Sequence, residues 1–72
     1  MMNNIIVKGT HKIQSNQFVF YKIPEKCLTL EIIERATLKK PIPVEIIEPL
    51  IYPYMEIIED IVLNDYVWKI EL

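Results

Sequence analysis

Apolar and polar residues alternate with a period of two over several short stretches. In residues 4–14, Val7, Gly9, His11 and Ile13 fall on one parity, and Lys8, Thr10 and Lys12 on the other. That is the pattern of a strand with one wet face. Ser15-Asn16 reads as a two-residue turn, from which residues 17–23 return as a second strand. Pairing across that turn sets Ile13 opposite Phe18, His11 opposite Phe20 and Thr10 opposite Tyr21. Phe18-Val19-Phe20-Tyr21 is apolar on both parities, so this strand is expected to be covered on both faces.

Residues 27–33 alternate as well, with Leu28, Leu30 and Ile32 on one side and Thr29 and Glu31 on the other. A third strand is expected there, ended by Pro41. Prolines at 41, 43, 49 and 53 exclude a central strand from the following stretch, because proline donates nothing to a ladder. They leave room for an edge strand over residues 44–48. Residues 66–72 alternate and read as a strand. Residues 54–62 fit two patterns. Tyr54, Ile57, Ile58 and Ile61 have helical spacing, whereas a hairpin turning at Asn64-Asp65 sets Val62 opposite Val67, Ile61 opposite Trp68 and Asp60 opposite Lys69. Composition tips the balance, since 22 of the 72 residues are Ile, Val or Thr. The expected fold is a mostly β single domain over residues 1–72, a small antiparallel sheet or open barrel of about five strands. The alternative is α+β with one short helix near residues 54–62. The motif Glu-Ile-Ile-Glu occurs at 31–34, 45–48 and 56–59, at unequal spacings that do not make a structural repeat.

The chain's 72 residues and 51% hydrophobic content put many apolar side chains into a domain with little interior. Cys27 is the lone cysteine and His11 the lone histidine, so neither an internal disulfide nor a zinc site of about four ligands is expected to staple the core. Homo-oligomerisation is the remaining expectation. No apolar run is long enough for a membrane span, and Lys8 interrupts the first apolar stretch too early for a signal peptide. With a single cysteine, this points to the cytoplasm. Charge is unevenly placed. Residues 1–40 carry a net +4 and residues 41–72 a net −6, which sum to −2. A sequence pI near 5.3 argues against duplex DNA as a partner.

Catalysis is not expected. A nucleophile needs a base held by a third group, and Cys27 with His11 is a weak pair. Gly9 is the only glycine, so no phosphate-cradling glycine loop exists. No metal ligand set and no cofactor are expected. Lys8, His11, Lys12, Phe20, Tyr21 and Lys22 form the candidate ligand-binding set, because cations interleaved with aromatics suit phosphate neutralisation and base stacking. Phe18, Val19, Tyr54, Tyr66, Trp68 and Ile70 are the candidate interface residues, since aromatic side chains are enriched among interface anchors. The functional expectation is a small non-enzymatic binding protein, a phage or mobile-element accessory factor that inhibits a host defence protein. The alternatives are an oligomer that sequesters a nucleotide-type small molecule between subunits, and a structural assembly subunit.

Overall fold

The computed structural model describes residues 3–55 and 61–71. Strands β1 (Asn4–His11), β2 (Phe18–Pro24) and β3 (Tyr66–Glu71) form an open antiparallel sheet in the order β2-β1-β3. Helices α1 (Leu30–Thr37) and α2 (Val44–Ile51) lie between β2 and β3 in sequence, with 3-10 turns at Glu25–Cys27, Tyr52–Tyr54 and Leu63–Asp65. The class is therefore α+β, the alternative expectation, and the described residues form three strands and two helices where a mostly β sheet or open barrel of about five strands was expected.

Side chains alternate across a strand, so the sheet has two distinct faces. Val7, Tyr21, Ile23, Tyr66, Trp68 and Ile70 are buried on one face. They share a single apolar cluster with Ile32 and Ala36 of α1 and Ile47, Leu50 and Ile51 of α2. Trp68 donates its indole N–H to the Leu63 carbonyl at 3.0 Å, so its polar atom is satisfied within the core. Gly9 lies beneath this indole. A Cβ there would stand 2.7 Å from Trp68 Cζ3 and 2.9 Å from Val19 Cγ2.

Both helices begin with local signals. Thr29 caps α1 by accepting the Ile32 N–H at 3.3 Å, and Glu31 pairs with Arg35 one turn on at 3.6 Å. The end of α1 is a Schellman closure, with Lys40 N–H on the Arg35 carbonyl at 2.9 Å and Lys39 N–H on that of Ala36 at 3.1 Å. Lys39 occupies the left-handed position, φ 57°, where glycine is usual. Pro43 precedes α2 in an extended conformation, and both Ile46 and Ile47 donate to its carbonyl at 3.0 Å.

Several expectations are corrected. The β1–β2 register is Thr10 with Phe18, Lys8 with Phe20 and Val7 with Tyr21. The cause is a six-residue loop at positions 12–17 in place of the two-residue turn. His11 Nδ1 accepts the N–H groups of Ile13 at 3.2 Å and Gln14 at 3.1 Å, and the His11 N–H donates to Gln17. The shift is odd, so Phe18 and Phe20 move to the face of Lys8. Residues 27–33 are the end of a 3-10 turn and the start of α1, not a strand, because the Thr29 cap and the Ile32–Ala36 spacing suit a helix. The edge strand at 44–48 is α2, and only Ile42 makes a bridge, to Trp68. The hairpin at Asn64-Asp65 does not form, because β3 pairs with β1, placing Thr10 beside Val67 and Gly9 beside Trp68. Asp60, its proposed partnership with Lys69, and most of the expected helix at 54–62 lie outside the described residues. Tyr54 closes a 3-10 turn, and Ile61 and Val62 are not helical.

Candidate functional site

The second face of the sheet is open. Its three columns are Phe18, Phe20 and Lys22 on β2, Thr10, Lys8 and Ile6 on β1, and Val67, Lys69 and Glu71 on β3. The rows are Phe18–Thr10–Val67, Phe20–Lys8–Lys69 and Lys22–Ile6–Glu71. Lys8 stands directly opposite Lys69, a like-charge pair that weakens a sheet. The Lys8 ammonium is 3.6 Å from Glu71 Oε1, 4.5 Å from the Phe18 ring centroid and 5.9 Å from that of Phe20.

A groove of about 800 Å³ runs from this face past the edge of β3 to the end of α1. Three separate stretches of chain bring lysines to it: Lys8 and Lys12 from the first, Lys39 and Lys40 from the turn after α1, and Lys69 from β3. Each position has a structural cause. Strand alternation aims Lys8 and Lys69 outward. The Lys12 N–H bonds the Asp65 carbonyl at 2.8 Å, which ties the loop to the start of β3. The Schellman turn and the bridge of Ile42 N–H to the Trp68 carbonyl, 2.8 Å, hold Lys39 and Lys40 beside the strand. Glu71 is the single carboxylate among the described lining side chains. His11 also lines the groove, but its Nδ1 holds the loop backbone, and its ring meets Tyr66 edge-on at 5.2 Å.

The expected ligand set divides. Lys8, His11 and Lys12 come together at the groove. Phe20 and Lys22 are exposed on the adjoining β2 column. Tyr21 is in the core, on the opposite face, a consequence of the register. Of the expected interface residues, Phe18 is 43% exposed on the open face and Tyr54 is exposed. Val19 is half-buried on the helix side. Tyr66, Trp68 and Ile70 are largely buried in the chain's own core, because that parity of β3 faces the helices. Lys39, Lys40 and Lys69 were not anticipated. In the sequence, Lys39 and Lys40 are marked only by the boundary at Pro41 that follows them, and nothing near Lys69 in sequence reveals its neighbour Lys8.

Away from the groove, the Cys27 thiol and the Tyr54 hydroxyl are 3.8 Å apart. That hydrogen bond, with lesser contributions from burial and from the thiol's charge, raises the Tyr54 pKa above its ordinary 10.0. Cys27 and His11 thus have separate partners. Among the described residues, no group of three or more His, Cys, Asp or Glu side chains gathers to hold a metal ion. No described helix is long and apolar enough to cross a membrane. No protein-family model, curated protein or solved structure matches the chain.

Proposed function

We propose that the chain is a non-enzymatic binding protein that holds a phosphate-bearing, nucleotide-type ligand in the lysine groove. The observation that carries this reading is the convergence, among the described residues, of five lysines and one carboxylate, Glu71, on one groove of about 800 Å³. That volume lies within the usual range for small-molecule sites. Placing Lys8 opposite Lys69 costs stability that a ligand with several negative charges restores. A ligand held in this way is sequestered. The accessory-factor role expected from the sequence then acts by withholding a nucleotide-type molecule rather than by blocking a host protein.

Isothermal titration with inorganic tripolyphosphate, and separately with a nucleoside triphosphate, tests the reading. Saturable binding that weakens with salt is expected. Lys39→Ala combined with Lys40→Ala is expected to weaken it about tenfold or more, the loss of charge-assisted contacts, with the melting temperature retained. Absence of binding by either compound at low ionic strength refutes it.

A further inference from the structure

The open sheet face narrows the ligand class further. Phe18 and Phe20 are adjacent on one face of an edge strand, 43% and 56% exposed, with ring centroids 6.3 Å apart. The core does not need them, since Val19, Tyr21 and Ile23 supply the β2 contribution to it. Two large apolar rings left on a solvent face invite an occupant with flat apolar surfaces. Lys8 joins this pair to the groove, for its ammonium lies against both rings and also lines the groove. The aromatic column on β2 and the lysine of β3 are two strand spacings apart, about 10 Å. A phosphate at Lys8 or Lys69 therefore has its base within reach of the rings.

We infer that the ligand is a single-stranded nucleic acid, laid along the strands with successive bases stacked on Phe18 and Phe20 and its phosphates toward Lys8, Lys69 and the groove. This rests on the reading of the groove as a phosphate site. Two neighbouring rings suit two consecutive bases, where a mononucleotide uses one. Lys22, next in the β2 column, extends the cationic track along the same edge. A duplex keeps its base faces inside its own stack and gains nothing from the rings. A second copy of this chain stacked on this face would bring three lysines of one copy, Lys8, Lys22 and Lys69, toward a face carrying the same three.

Fluorescence anisotropy with a labelled single-stranded oligothymidylate of about ten nucleotides tests this, with a duplex of the same length and tripolyphosphate alongside. The single strand is expected to bind more tightly than the duplex. Phe18→Ala and Phe20→Ala are each expected to weaken it about fivefold or more, and tyrosine at either position to retain it. Circular dichroism melts are expected to be unchanged, since the rings lie outside the core. Lys69→Ala is expected to lower the slope of log affinity against log salt by about 0.7. The inference fails if either alanine variant binds the single strand as the wild type does, or if the duplex binds equally well. If tripolyphosphate binds and the oligonucleotide does not, the stacking inference falls and the groove proposal stands. If neither binds, both fall.

Discussion

A hydrogen is the largest side chain that position 9 admits. A methyl group there would overlap the Trp68 ring, whose own position is set by its bond to Leu63 and by the surrounding core. Gly9→Ala is therefore expected to cost about 1–3 kcal/mol, the range for an overpacked core, read as a lower urea midpoint with an unchanged slope. Lys39 presents the opposite case. Its left-handed backbone costs a non-glycine residue about 1–2 kcal/mol. Lys39→Gly is expected to raise the melting temperature while weakening tripolyphosphate binding. A variant that loses stability would contradict the assignment of strain to this residue. Tyr54 gives a test by pH. Its raised pKa means that the fold favours the neutral phenol, so any stability from the Cys27 contact is present below pH 10.0 and is lost as pH rises through the raised value. Ring carbon resonances should show Tyr54 titrating later than a free tyrosine, and Cys27→Ala should bring it back down. The parity of Val7 and Gly9 was legible from the strand pattern. The reason for glycine was not, because the ring it accommodates lies at the far end of the chain.

At the scale of elements, β1 and β3 were legible from alternation and β2 from the apolar run that returns after the turn residues, to within a few residues. The helices were not. An alternating run of five residues, such as Leu28 to Ile32, also satisfies part of a helical repeat, and helices of eight residues supply too few turns to separate the two periods. Isoleucine-rich composition then favoured strands. What overrode it is local chemistry at the ends: a threonine cap and a Schellman closure for α1, and an extended proline before α2. The Glu-Ile-Ile-Glu motif held the missing signal. In both described copies the glutamates are exposed and an isoleucine between them is buried, Ile32 in α1 and Ile47 in α2. Thr29→Ala removes the side-chain N-cap of α1 and is expected to cost about 1 kcal/mol in urea unfolding. Thr29→Ser is expected to restore most of it.

The fold brings the two unevenly charged halves of the chain together, with Lys8 and Glu71 paired across them. Pairing β1 with β3 joins the basic N-terminal half to the acidic C-terminal half, and Lys69, the lone cation of residues 41–72, lands beside Lys8. Register and strand order decide this, and neither is local. One odd shift at the 12–17 loop moved two phenylalanines from the core side to the open face and moved Tyr21 the other way. The sequence therefore exposed half of the site, Lys8, His11, Lys12, Phe20 and Lys22, and hid the half contributed after α1 and on β3. The single chain buries Val7, Ile23, Ile47 and Ile51 completely and leaves Ile13, Leu30, Leu38 and Tyr52 exposed.

Amide chemical shifts during titration with tripolyphosphate test the lysine groove most directly, because they locate the ligand as well as detect it. Saturating shifts are expected at Lys8, Thr10, Lys39, Lys40 and Lys69, weakening as salt is added, with α2 unaffected. A spectrum that does not change, or one whose changes centre on Val44–Ile51, would contradict the assignment of the groove as the binding site.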